Sequence, residues 1–171
     1  PEAFLGTVSG TSISFGTDVA INGNSQSTSN DITYDSSIEA LVVVYNTPSS
    51  TGRAEVATIS GSTLTFNNQV ATFDTTGGYN FNLVYDSYAQ KSVVFYQNGS
   101  NLDPYVATLT ASGTTITPGT PVQIDNRNQD ESAAVFDSGS NQVCLSWQNG
   151  QDTQHEAVMF RNAATVQNLT S

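Results

Sequence analysis

The chain has 171 residues, with 15 acidic side chains against 4 basic ones and a formal net charge of −11. This charge repels nucleic-acid phosphates and anionic lipid surfaces, so nucleic-acid binding is not expected. No apolar stretch approaches the roughly 20 residues that a membrane-spanning helix needs, so membrane insertion is not expected either. Cys144 is the single cysteine, and its place in an apolar run predicts a buried small side chain rather than a nucleophile or a metal ligand.

One sequence motif returns every 51 residues along the chain. The three copies of its turn are Tyr34-Asp35-Ser36, Tyr85-Asp86-Ser87 and Phe136-Asp137-Ser138. The apolar run at 42–45 likewise returns at 93–96 and 144–147. A fixed period of this size is typical of a chain built from copies of one supersecondary unit.

Each copy is predicted to contain four short strands, A to D, in chain order. In the first copy they lie at 31–34, 40–45, 55–59 and 62–66. Strand B is rich in β-branched and aromatic residues, and strand D alternates apolar Leu64 and Phe66 with threonines, as half-buried strands do. No window places apolar residues at helical spacing, so no helix is expected.

Four-stranded units of this length are typical of the blades of a β-propeller. The sequence therefore predicts one all-β domain, 1-171, with a β-propeller-like array of three repeats: 30-80, 81-131, and 132-171 joined to 1-29, whose N-terminal strands close repeat 3. The expected core comprises Val42, Val44, Val93, Phe95, Cys144, Ile13, Phe15, Leu64 and Phe66. Propellers usually have four to eight blades, so a longer polypeptide or a homo-oligomer is expected to supply the rest. A trimeric β-fibre is the alternative.

Two sets of connections are alike in all copies. Asp followed by Ser in the A–B turns predicts a carboxylate that accepts hydrogen bonds from nearby backbone N–H groups. Glycine in the C–D turns, at Gly10, Gly61 and Gly113, predicts hairpins that need a positive φ.

The B–C and D–A connections change their chemistry from copy to copy, and both emerge at the opposite end of an up-and-down unit. Variation concentrated there is typical of a binding surface. The candidate ligand-binding residues are Arg53, Tyr79, Asp103, Arg127, Asp152 and His155.

Signs of catalytic chemistry are weak. A glycosidase needs two carboxyl groups at a set separation, whereas the acidic residues of these loops are scattered: Asp74, Asp103, Asp125, Asp130, Glu131 and Asp152. A lone histidine and a lone cysteine do not suit a metal site, so no metal, cofactor or enzymatic activity is expected. Trp147 takes the repeat position of Tyr45 and Tyr96, which favours packing between repeats over sugar stacking.

The amino-acid sequence of the repeat resembles that of a known group of proteins. Residues 6–17, GTVSGTSISFGT, together with the Tyr85-Asp86-Ser87 turn and KSVVFY at 91–96, resemble the repeats of about 50 residues in virion fibre proteins of marine bacteriophages, notably cyanophages. Residues 162–171 look like the segment that leads out of the repeat array in that family. Pro118 and Ser146 depart from the pattern.

This resemblance implies a non-enzymatic fibre or adhesin module on a virion, outside the cell. Its role there is structural or is host-receptor binding, with a surface glycan as ligand and other virion proteins as partners. A polysaccharide-degrading enzyme similar to a tailspike is the alternative.

Overall fold

The computed structural model describes residues 2–21, 26–47, 51–151, 154–161 and 166–167. All regular structure in these ranges is β-strand, as predicted. No helix in the described part of the chain is long and apolar enough to cross a membrane.

The strands form an N-terminal segment and three larger sheets. The N-terminal segment contains β1 (Glu2–Ala3), β2 (Gly6–Ser9), β3 (Ser12–Phe15) and β4 (Val19–Ala20). Sheet 1 contains β5 (Asn30–Asp35), β6 (Ala40–Asn46), β7 (Gly52–Ser60), β8 (Thr63–Phe66) and β9 (Ala71–Asp74). Sheet 2 contains β10 (Tyr79–Asp86), β11 (Lys91–Gln97), β12 (Pro104–Ser112), β13 (Thr115–Pro118) and β14 (Val122–Gln123). Sheet 3 contains β15 (Gln129–Asp137), β16 (Gln142–Asn149), β17 (His155–Arg161) and β18 (Val166–Gln167).

The three sheets repeat one antiparallel meander. In sheet 1 the order is β5-β6-β7-β8, and β9 returns to pair with the other half of β7. Sheet 2 has the same plan, with β13 and β14 both paired to β12. The predicted strand D is therefore the first of two short strands that share the edge of strand C.

The N-terminal segment has counterparts of strands C and D only. Its β1 and β2 together correspond to strand C, and β3 and β4 correspond to the two short strands that pair with strand C in the larger sheets. Strand β2 pairs with β3, and β1 pairs with β4. The expected joining of 1-29 to 132-171 in one repeat is not seen among the described pairings, and it stays a prediction about an assembled form. The segment instead packs on sheet 1.

Adjacent sheets are held together by apolar side chains from both faces of their central strands. Successive residues of a strand point to opposite faces, so Val43 and Tyr45 pack with Ile21 of the N-terminal segment. Val42 and Val44 pack with Val94 and Tyr96 of sheet 2. The next interface joins sheets 2 and 3 through Val93, Phe95, Val106, Val143, Leu145, Trp147 and Val158. Trp147 thus packs between repeats, as predicted, with its ring 5.8 Å from that of Phe95.

The two kinds of shared turn are as predicted. Asp35 Oδ1 accepts a hydrogen bond from the Ser37 N–H at 2.9 Å, and the turns after Asp86 and Asp137 are closed in the same way. Hydrogen bonds from the Ser140 hydroxyl and the Gly139 N–H lower the pKa of Asp137. The glycines of the C–D turns have φ values of 59°, 59° and 57°, which a residue with a Cβ rarely adopts.

Part of the predicted core is wrong. Ile13 and Phe15 are 60% and 72% exposed, whereas Leu64 and Phe66, 51 residues later, are 5% and 8% exposed. The reason is that β3 has no sheet on its outer side among the described residues, while β8 is covered by the N-terminal segment. Cys144 is only half-buried, because it lies on the outer face of sheet 3.

Candidate functional site

The B–C and D–A connections meet at one end of the sheets. The Gly150 N–H in the last B–C connection donates to the Asn128 carbonyl at 2.8 Å. Gly99, in the preceding B–C connection, lies so close to Thr76 and Gly77 that a Cβ there would overlap their carbonyl oxygens. The two variable sets of connections therefore form a common surface.

Each B–C connection is closed by a backbone hydrogen bond, which spans four residues in the first connection and five in the other two. The residue that begins each connection donates its N–H to a carbonyl near the connection's end: Thr47 to Thr51 at 3.1 Å, Asn98 to Asp103 at 2.9 Å and Asn149 to Gln154 at 2.8 Å. The bond in the second connection encloses Ser100, Asn101 and Leu102, among others. The bond in the third connection encloses Gln151. The closing bond thus begins at the same repeat position each time, while the sequence that it encloses differs between repeats.

Side-chain amides fix these connections to the following repeat. At the end of β6, Asn46 Nδ2 donates to the Gly78 carbonyl at 3.4 Å. At the end of β11, Gln97 makes the equivalent bond to the Gln129 carbonyl. The relative position of adjacent repeats is therefore set at this end by direct hydrogen bonds.

A group of charged and amide side chains bridges repeats 2 and 3 at this end. We call it the Arg127 cluster, and it consists of Asp103, Gln123, Asp125, Arg127 and Glu156. Gln123 Nε2 donates to Asp103 Oδ2 at 2.8 Å and to the Asp125 carbonyl at 2.9 Å. The guanidinium of Arg127 donates to Asp125 Oδ2 at 2.6 Å and also forms an ion pair with Glu156.

The Arg127 cluster contains one guanidinium and three carboxyl groups, and this balance of charges affects the pKa of each carboxyl group. Burial raises the pKa of Asp103, and nearby Asp125 raises it further. Burial also opposes ionisation of Asp125, but hydrogen bonds from Arg127 and the Asn126 N–H outweigh it and lower its pKa. Burial and the Asp125 carboxyl raise the pKa of Glu156. Asp125 is therefore the carboxyl group of the cluster whose ionised form the surroundings favour, whereas they disfavour ionisation of Asp103 and Glu156.

A shallow groove lies on the outer face of sheet 3, next to the variable end. It has a volume of about 210 Å³, and Glu131, Ser146, Gln148 and His155 are among its lining residues. His155 is exposed and precedes Glu156 on β17. Neighbours on a strand point to opposite faces, so His155 faces the groove while Glu156 faces sheet 2.

The candidate residues are only partly brought together. Asp103 and Arg127 belong to one cluster, through Gln123 and Asp125. Arg53, on β7 of repeat 1, donates to Thr51 Oγ1 at 3.2 Å. Tyr79 begins β10 and is 37% exposed. Asp152 lies outside the described residues.

Sequence reasoning missed Gln123, Asp125 and Glu156 as members of a site. Asp125 lies two residues before Arg127, and this short spacing in a chain with four basic residues was a usable signal. Glu156 is distant in sequence, so only the pairing of sheets 2 and 3 places it there.

No group of three or more histidine, cysteine, aspartate or glutamate side chains within the described ranges is placed to hold a metal ion. Comparison with protein-family models, with curated proteins and with solved structures gave no match to this chain.

Proposed function

We propose that the three sheets are consecutive blades of a β-propeller, with β5, β10 and β15 nearest its axis. Contacts between these strands support the arrangement. The Leu83 N–H donates to Asp31 Oδ2 at 2.6 Å, and Asn82 Nδ2 donates to Ser132 Oγ at 2.6 Å. Each bond joins the first strand of one repeat to the first strand of the next, as radial packing of four-stranded sheets requires.

We further propose that the protein is a non-enzymatic virion fibre module that binds a host-surface glycan through the variable end. The observation that carries this proposal is the backbone hydrogen bond that closes each B–C connection around a different sequence. Closed loops with variable polar side chains suit recognition of sugar hydroxyls, which need hydrogen-bond donors and acceptors at fixed positions. The acidic charge of the chain favours a glycan that is neutral or carries amino groups.

The Arg127 cluster supports recognition rather than hydrolysis. Glycoside hydrolysis uses two carboxyl groups held about 5 to 9.5 Å apart across the scissile bond. Asp125 and Glu156 instead both form ion pairs with the guanidinium of Arg127. The space next to both carboxyl groups is therefore taken by a guanidinium rather than left open for a sugar.

The test measures retention of the purified domain on marine cyanobacterial cells, the hosts that the resemblance implies, and on their isolated surface polysaccharide. Arg127→Gln should lower retention roughly tenfold or more, since hydrogen bonds to a charged group contribute about 1.5 to 3 kcal/mol. Lys91→Gln is the matched control, because Lys91 begins β11 next to the A–B turn, at the opposite end of the sheet.

Circular dichroism and thermal unfolding of each variant separate lost binding from lost folding. Release of reducing ends from the polysaccharide would overturn the proposal in favour of an enzyme similar to a tailspike. Absence of retention for the unmodified protein would overturn it in favour of a purely structural role.

A further inference from the structure

Two opposite faces of the stack of sheets are uncovered among the described residues. The N-terminal face consists of Phe4, Val8, Ile13 and Phe15, which are 57%, 71%, 60% and 72% exposed. Their common orientation follows from the register of the hairpin, in which Val8 pairs with Ile13 and Gly6 with Phe15. Four large apolar side chains on one small hairpin are an unusual surface for a monomer.

The sheet-3 face lies at the other end of the stack. It consists of Val135, Cys144, Ser146, Ala157 and Met159. Val135 is 59% exposed, Ser146 and Ala157 are exposed, and Cys144 and Met159 are half-buried. This part of the outer face is therefore mainly apolar, and the groove with Glu131, Gln148 and His155 lies beside it, towards the variable end.

The residues at the same repeat positions in sheet 1 show that the two faces are the two sides of one kind of interface. The partners of Ile13 and Phe15 in sheet 1 are Leu64 and Phe66, both buried against the unit before them. The partners of Ala157 and Met159 in sheet 1 are Ala54 and Val56, which are 0% and 1% exposed beneath the unit after them. Each face thus lacks the neighbour that its equivalents possess.

The geometry of the internal interfaces also specifies which strands meet. Strand β13 of sheet 2 packs on β7 and β9 of sheet 1. Strand β3 occupies the position of β13 in its own unit, and β17 occupies that of β7. The equivalent contact between the two open faces therefore places β3 against β17.

We propose that a second copy of this chain packs its N-terminal face on the sheet-3 face of the first, with β3 of one copy against β17 of the other. The interface is head-to-tail, and it continues the internal stacking of repeats from one molecule to the next. Ser146 stands where sheets 1 and 2 have Val44 and Phe95, so the open face is less apolar than the internal ones. Association should accordingly be reversible and depend on concentration. The proposal does not depend on glycan binding.

The test uses two variants of the whole chain, Phe15→Glu and Ala157→Glu. Both residues are exposed, so a charge at either position should leave the fold intact, which circular dichroism checks. Sedimentation equilibrium of the unmodified protein should show a mass that rises from 18.1 kDa with concentration through the micromolar range. Each variant alone should remain a monomer over that range.

An equimolar mixture of the two variants is the decisive sample. Each variant retains the face that the other has lost, so the mixture should form a one-to-one dimer and stop there, as a heterologous interface requires. Tyr88→Glu is the control, because Tyr88 is 62% exposed in an A–B turn away from both faces, and it should associate like the unmodified protein.

Three results would overturn the proposal. One is an unmodified protein that stays monomeric throughout, which would assign the faces to other repeats of a longer polypeptide or to a different partner. Another is a variant that still associates with itself. The third is a mixture that stays monomeric although each variant is folded.

Discussion

Truncation of two phenylalanines at the same repeat position should have very different effects on stability. Phe66 is 8% exposed and packs in a cluster with Ile21, Tyr45 and Leu64, whereas Phe15 is 72% exposed. Removal of a buried phenylalanine side chain leaves a cavity and costs about 3 to 5 kcal/mol. Removal of an exposed one changes stability by no more than about 0.5 kcal/mol. Phe66→Ala should therefore lower the free energy of unfolding by several kcal/mol and Phe15→Ala by almost nothing.

The assay is urea unfolding followed by far-ultraviolet circular dichroism at low protein concentration. Low concentration keeps self-association from adding to the apparent stability of the unmodified protein. Equal losses for the two variants would refute the reasoning, since they would mean that the N-terminal hairpin is covered within the monomer. A small loss for Phe66→Ala would refute it as well, by showing that the N-terminal segment does not pack on sheet 1.

Gly99→Ala should lower the melting temperature, because its methyl group would overlap two backbone oxygens of residues 76–77 and disrupt their packing with the B–C connection. Gly16→Ala is the control, because its methyl group meets its neighbours at 3.5 Å and beyond and causes no such overlap. The folded pKa of Asp125 is lowered from 3.8, so its ionised carboxylate stabilises the fold above that pH and this stabilisation is lost as the pH falls. Asp125→Asn should therefore lower the free energy of unfolding by up to about 1 kcal/mol at pH 7, and by less in acid. Glu156 has the opposite sign, because its folded pKa is raised from 4.5 and stability is therefore lost as the pH rises above that value. The melting temperature of Glu156→Gln should accordingly rise relative to that of the unmodified protein as the pH is raised above about 4.5. The same sign of pH dependence for both variants would contradict the assignment.

Local chemistry was enough to predict the strands and the shared turns. Strand B is apolar on both faces in sheets 1 and 2, because sheet 1 lies between the N-terminal segment and sheet 2, and sheet 2 lies between sheets 1 and 3. A run such as Val42 to Tyr45 is typical of a strand buried on both sides. The turns were predictable because their conformation depends on local features: the hydrogen bond that Asp35 accepts from Ser37 and the positive φ of Gly61. Trp147 was predictable because its repeat partners, Tyr45 and Tyr96, share its environment.

Features that depend on neighbours in space were not predictable in this way. Ile13 and Phe15 match Leu64 and Phe66 in sequence, but burial depends on whether another sheet lies beside them. Strand D was predicted to end at Phe66, and the return of the chain as β9 to the other half of β7 depends on pairing with a strand distant in sequence. The Arg127 cluster joins Asp103 to Glu156, and these residues meet only because sheets 2 and 3 are adjacent.

The proposed binding end can be tested most directly by a hydrogen-exchange footprint of the protein with and without isolated cyanobacterial surface polysaccharide. Backbone amides that become ordered or covered on binding exchange more slowly. Bound polysaccharide should slow exchange at residues 98–103 and 124–128, which form the variable end, and leave the A–B turns at 87–90 and 138–141 unchanged. Slowed exchange confined to the A–B turns, or no change at the variable end while polysaccharide is bound, would contradict the proposed function.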